Sequence, residues 1–348
     1  CMDAAVVNTS EVADFLYVND GSGNFFAREL FPGDGLSGNG VDSGDFNGDG
    51  LPDIFVANST AGLNRYYINR ADLTGTFSGA SADADTDNTN AVTVADFNGD
   101  GFLDALVVNS GGATPRLYLN DGFGNFPLGI NAGTDAFSSL GVDSGDLDGD
   151  GDIDAFIANG GGGANRLYLN DGNGNFTGSD ATADLNNSRD VVLGDLDGDG
   201  DLDAFVVNDA GPNNKVYVNQ GDGTFVSQNA GPSVAANLGL DLGDLDGDGD
   251  LDAFVVSSGS PAIFYRNDGG LIFTELNATT DTDTGADVAL GDLDGDGDLD
   301  AFAVNDAGGQ QNRVYINESG TFTSRLASAD ANPSQDVVLR KFEGVGCQ

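Results

Sequence analysis

Six short stretches of this sequence place oxygen-bearing side chains at alternate positions around glycine. The clearest is Asp195-Leu196-Asp197-Gly198-Asp199-Gly200-Asp201-Leu202-Asp203, and its copies begin at Asp45, Asp96, Asp146, Asp244 and Asp292. By position the loop reads Asp-x-Asp/Asn-x-Asp-Gly-x-x-Asp. Side chains at the first, third and fifth positions converge when the backbone coils tightly, and glycine at the sixth permits the sharp turn. A set of hard oxygens of this kind suits calcium, which takes about six to eight oxygen ligands in flexible geometry. The seventh position can contribute only its backbone carbonyl, so a carboxylate there, as at Asp201, should point outward. The ninth position closes the shell.

The candidate ligands are therefore Asp45, Asn47, Asp49, Leu51 and Asp53; Asp96, Asn98, Asp100, Phe102 and Asp104; Asp146, Asp148, Asp150, Asp152 and Asp154; Asp195, Asp197, Asp199, Asp201 and Asp203; Asp244, Asp246, Asp248, Asp250 and Asp252; and Asp292, Asp294, Asp296, Asp298 and Asp300. Leu51, Phe102, Asp152, Asp201, Asp250 and Asp298 would act through their carbonyls. Six loops imply about six Ca2+ ions. Asn47 and Asn98 lower the ligand charge without losing an oxygen. An EF-hand starts similarly but needs a bidentate Glu at its twelfth position and flanking helices. Here that position is Val56, Val107 or Val206, within an apolar run, which rejects the EF-hand. One such loop would be explained as an acidic turn; six in register are not.

Charge sets the next bounds. Twelve Lys and Arg against 57 Asp and Glu give a net charge of −45, so nucleic acid and anionic membrane surfaces are poor partners. Acidity adapted to high salt would scatter, whereas these carboxylates cluster at fixed spacing. The sequence has no histidine, which removes the commonest general base and zinc ligand. No apolar run approaches the ~20 residues of a transmembrane helix. No signal peptide is visible, although a chain opening Cys1-Met2-Asp3 fits a processed product.

The elements that hold the loops follow from their spacing. Successive loop starts lie 51, 50, 49, 49 and 48 residues apart, the mark of a repeat architecture. A second motif, an apolar run ending in Asn before a Gly-rich turn, recurs at Asn19, Asn69, Asn120, Asn170, Asn219, Asn267 and Asn317. Seven hairpin motifs against six loops means that one loop is split by the chain ends. Asp336-Val337-Val338-Leu339 aligns with Asp190-Val191-Val192-Leu193, and Asp3-Ala4-Ala5-Val6-Val7-Asn8 aligns with Asp203 to Asn208. Within a unit, Val191 to Leu193, Ala204 to Val207, Val216 to Val218 and Thr224 to Val226 are β-rich runs bounded by turn residues. The sequence thus predicts an all-β, seven-bladed β-propeller of four antiparallel strands per blade, occupying residues 1–348 as one domain. The split blade takes 1–30 plus 332–348, and the full blades lie near 38–80, 88–130, 138–180, 187–229, 236–276 and 284–326. Closing the ring in this way is expected to leave no free sheet edge.

The Asp loops, the strand after each, and runs such as Leu167-Tyr168-Leu169-Asn170-Asp171-Gly172 resemble the FG-GAP/VCBS repeat family, which includes the propeller of integrin α-subunits. The resemblance covers essentially the full length. It implies a seven-bladed propeller with calcium between the first two strands of a blade. The departure is the seventh loop, where Lys341, Phe342 and Glu343 stand and a cationic side chain at the first position should abolish binding.

Cys1 and Cys347 both align with the seventh position of the split loop, so closure would juxtapose them as a disulfide; the rival reading is a lipid anchor on Cys1. A disulfide implies an oxidising compartment. Arg65, Arg116, Arg166, Lys215 and Arg313 each stand four residues before a motif Asn, a recurrence that points to structural pairing with acidic neighbours. Arg28, Arg189 and Arg266 break the repeat without forming a nucleophile–base pair. The expected function is a secreted or cell-surface, non-catalytic interaction or assembly module in which calcium is structural. Its partner would be an extracellular protein, a glycan or copies of itself. The alternatives are a lectin with sites between blades and, third, a polysaccharide lyase or hydrolase.

Overall fold

A computed structural model describes residues 2–9, 13–30, 37–59, 62–70, 76–82, 87–209, 213–232, 235–329 and 331–342. Twenty-eight strands form seven four-stranded antiparallel sheets, and none of the described residues is helical. Six sheets are continuous in sequence: blade I (38–81), II (89–131), III (139–180), IV (188–229), V (237–277) and VI (285–326). Blade VII joins Ser334–Arg340, from the end of the chain, to Asp3–Asn8, Phe15–Asn19 and Phe25–Glu29, from its beginning. The innermost strand of each blade touches the innermost strand of the next, and Ser334–Arg340 lies between those of blades VI and I. The molecule is a seven-bladed β-propeller.

The split blade keeps the register of a continuous one. Ala4 faces Leu339 and Val6 faces Val337, as Ala204 faces Leu193 and Val206 faces Val191 in blade IV. The second strand of every blade is buried along its whole length, which is why Asp-Ala-Phe-Val-Val-Asn runs are apolar on both faces rather than alternating. Aromatic rings fill the clefts between blades. Phe156 of blade III meets Tyr217 of blade IV edge-on at 5.3 Å, and at the closure Phe302 of blade VI meets Tyr17 and Phe25 at 5.3 and 4.9 Å. The closing joint is thus packed like the internal ones.

One expectation needs correction. Ring closure does not remove sheet edges, because the outermost strand of each blade, such as Phe176–Asp180, pairs on one side only. Closure joins neighbouring inner strands through side chains and leaves seven outer edges. Those edges are short strands of four to six residues, one of the devices that limit edge-to-edge pairing.

Candidate metal centres

Each Asp loop joins the innermost strand of a blade to its second strand, whose first residue is the ninth loop position. That residue is Asp53, Asp104, Asp154, Asp203, Asp252 or Asp300, and all six are fully buried. One carboxylate oxygen accepts the backbone N–H of the hairpin Asn at 2.7–2.9 Å. The other accepts the N–H of the second loop position at 2.9–3.3 Å. The first position organises the coil. Asp195 accepts Gly198 N–H at 2.8 Å and Gly200 N–H at 3.0 Å, and Asp146 does the same for Gly149 and Gly151. Gly200 has φ 99°, a left-handed value that a side chain would strain.

Four loops bring three carboxylates within metal-sharing distance. Asp146, Asp148 and Asp154 present oxygens all within 4.8 Å of one another, as do Asp195, Asp197 and Asp199; Asp244, Asp246 and Asp248; and Asp292, Asp294 and Asp300. These all-oxygen donor sets fit a hard divalent cation. In the loops from Asp45 and Asp96, the Asn side-chain oxygen takes the N–H of the fifth position at 2.9 Å, and its amide donates to Asp49 or Asp100. Those two loops therefore carry less negative charge. At the seventh position Phe102, Asp152, Asp201 and Asp298 turn their side chains to the hairpin of their own blade. Asp298 accepts Ser319 N–H at 2.9 Å, while the Asp152 and Asp201 carboxylates lie against Gly172 and Gly221, and Phe102 against Gly122.

Burial pushes the ninth-position carboxyls up, to about 7 for Asp53 and Asp104 and about 6 for Asp154, Asp203, Asp252 and Asp300. Their hydrogen bonds oppose the shift, and the carboxylates of the same loop add to it. Asp148, Asp197 and Asp246 are also raised, first by desolvation and then by like-charged neighbours. Each loop concentrates negative charge that a bound cation would compensate.

The loops also tie blade to blade. The side-chain amide of each hairpin Asn donates to the second-position carbonyl of the preceding blade's loop, as in Asn120 to Phe46, Asn170 to Phe97, Asn219 to Leu147 and Asn267 to Leu196 at 2.8–2.9 Å. Asn317 to Leu245 and Asn19 to Leu293 continue the series. In the seventh loop Asn69 donates to Phe342 at 3.0 Å, and Phe342 is buried. That loop keeps its packing role while Lys341, exposed, stands at the first position. Glu343 and the proposed Cys1–Cys347 disulfide lie outside the described residues.

A second set of acidic groups escaped the sequence reading. Asp42, Asp143, Asp190, Asp241, Asp287 and Asp336 sit on six of the seven innermost strands and line the axial channel. Each of the six bridges to the next blade. Asp42 accepts Ser43 N–H and Val94 N–H, Asp143 accepts Ser144 and Leu193, Asp190 accepts Val191 and Leu240, and Asp241 accepts Leu242 and Leu290. Asp287 reaches Val337, and Asp336 reaches Val41. The seventh joint, between blades II and III, uses a hydroxyl pair, Thr93 with Ser144 at 2.8 Å. The signal was one Asp at the third or fifth position of six of the seven first strands.

Three of the five recurring cations pair with acidic neighbours among the described residues, as their spacing implied. Arg166 binds Asp135 and Asp180, Lys215 approaches Asp184 at 3.7 Å, and Arg313 binds Asp281 and Asp283. In each case a blade is fastened to the link that enters it. Arg65 and Arg116 lie over the rings of Tyr67 and Tyr118.

Comparison with known proteins agrees with this geometry. The FG-GAP-like repeat matches residues 2–56, 45–107, 96–157, 146–206, 195–255 and 244–303. No curated protein matches significantly. Among solved structures, one describing specific recognition of non-reducing terminal N-acetylglucosamine by an Agrocybe aegerita lectin superposes with a TM-score of 0.67 at 17% identity, covering 99% of this chain and 96% of the other. The Pseudomonas aeruginosa periplasmic gluconolactonase PpgL gives 0.63 at 14% identity, over 98% and 99%. At such identities the likeness concerns the fold. Six overlapping repeat matches, laid over blades whose acidic loops recur in register, establish that this chain belongs to the FG-GAP-like repeat family.

Proposed function

We propose that this protein is a secreted or cell-surface propeller whose six loops bind calcium as a structural ion, and that it serves as a non-catalytic interaction module. The observation that carries the reading is the convergence of three carboxylates in each of four loops. The two Asn-containing loops would complete the set of six with lower charge. The side chains of the first, third, fifth and ninth positions and the seventh-position carbonyls of Leu51, Phe102, Asp152, Asp201, Asp250 and Asp298 would hold the ion. A bound calcium supplies charge compensation that the loop lacks by itself. Extracellular modules bind calcium with dissociation constants of roughly 0.1–1 mM. At about 1 mM calcium and a 0.1 mM constant, one site stabilises the fold by about 1.4 kcal/mol. Sites of that strength would fill where calcium is abundant, as it is outside cells. No helix among the described residues is long and apolar enough to cross a membrane.

The non-catalytic reading rests on how the titratable groups are used. The carboxyls raised by burial either belong to the metal loops or bridge inner strands through backbone N–H groups. The links between blades, including 279–284, vary from unit to unit and are the natural recognition surface. Probing arrays of glycans and of extracellular proteins in calcium and in EDTA tests the proposal. Calcium-dependent retention without chemical change of the captured molecule is the expected result. Turnover of a lactone, or release of unsaturated sugars from a pectin-like polymer, would overturn it.

A further inference from the structure

The seven innermost strands present two tiers of residues to the axial channel. The upper tier is Gly40, Ala91, Gly141, Asp190, Gly239, Asp287 and Asp336, and the lower is Asp42, Thr93, Asp143, Val192, Asp241, Ala289 and Val338. The carboxylates are spread between tiers so that neighbours on the same level are nearly always small or apolar. Gly141 and Gly239 make room for the adjacent Asp190 and Asp287: a Cβ on Gly239 would lie 2.5 Å from the Cα of Asp287. The exception is the joint between blades VI and VII, where Asp287 and Asp336 are side by side in the upper tier. Both carboxyls converge on one donor, Val337 N–H, at 3.2 and 2.7 Å. Two ionised carboxylates gathered on a single N–H would repel each other, whereas one proton held between them removes the repulsion.

We propose that Asp287 and Asp336 share one proton, and that this proton helps hold the terminal strand Ser334–Arg340 in the ring. Asp336 already accepts two backbone N–H groups, from Val337 and Val41, so it is the carboxylate. Asp287 has the longer bond to Val337 and is the neutral acid, donating its O–H to Asp336. Burial, followed by the charge of Asp336, pushes Asp287 well above the ordinary carboxyl range. The charged groups facing the pair are Asp190, Asp42, Asp143 and Asp241 on the other inner strands, with Arg189 and Arg340 on opposite sides. Arg189 lines the same cavity of about 220 Å³ together with Asn39, Asn90 and Gln335. The joint so fastened is one of the two that the terminal strand completes, with blade VI on one side and blade I on the other. Losing the proton to water would leave two adjacent carboxylates competing for one N–H, making ring closure sensitive to alkaline pH.

The test compares the wild type with Asp287→Asn, both in saturating calcium. An amide at 287 can donate to Asp336 as the acid does, but it cannot titrate. The infrared difference spectrum at pH 7, in which all other carboxyls cancel, should show a protonated-carboxyl C=O stretch present only in the wild type. From pH 7 to pH 9 the wild-type melting midpoint should fall relative to the variant by about 2 °C or more. Absence of the band, or parallel midpoints, overturns the proposal. If the variant does not fold, a wild-type titration with carboxyl-labelled aspartate decides instead. One carboxyl carbon changing above all the others supports the shared proton, and none still titrating above pH 7 overturns it.

Discussion

Asp195 and Asp203 stand in one loop and carry different loads. Asp195 is partly exposed and spends its oxygens on glycine N–H groups and the candidate metal point, whereas Asp203 is fully buried and satisfies two backbone donors. Asp195→Ala should lower the calcium count by one and cost about 1.4 kcal/mol in 1 mM calcium, the contribution of one site. Asp203→Ala should cost about 2–4 kcal/mol in EDTA as well, because it strands two buried N–H groups. Asp201→Asn should change neither, since that side chain turns to Gly221 rather than into the loop. Calorimetric calcium titration with melting curves in calcium and in EDTA separates the three outcomes.

At the scale of strands, close approach of the inner blades is set by residues without a side chain. Gly239→Ala would place a methyl against the backbone of the neighbouring strand, and we expect a loss of about 1–3 kcal/mol in denaturant melts, with or without calcium. This crowding was invisible in the sequence, because Gly239 and Asp287 are brought together only when the ring forms. The loops, the second strands and the split blade were legible, since each is a local pattern repeated about every 49 residues. The channel carboxylates were not. Asp190 and Asp241 occupy different tiers in adjacent strands, so their shared role emerges from a register between blades. The open outer edges were misjudged for a related reason: ring closure acts on the inner strands, while Phe176–Asp180 and its equivalents face outward.

Over the whole molecule, the excess of acid sets up two opposed responses to pH. Burial raises Asp42 and Asp241 to about 6 and Asp143 and Asp190 to about 7, against 3.8 for an unperturbed carboxyl. The folded state therefore binds protons more tightly than the unfolded chain, and stability from these groups grows as pH falls from about 7 toward 4. In EDTA the melting midpoint should accordingly be higher at pH 5.5 than at pH 7.5. In calcium the gain should shrink or reverse, because protons compete with the ion for the ninth-position carboxyls. A pH response unaffected by calcium would separate the loops from the stability of the ring.

Six independent sites would together contribute about 8 kcal/mol, comparable with the net stability of a typical domain. The most direct measurement is the calcium content of the purified protein combined with its thermal melt in 1 mM calcium and in excess EDTA. About six ions per chain and a midpoint lowered by about 10 °C on chelation are predicted. A protein that melts at the same temperature in both buffers would contradict a structural role for calcium.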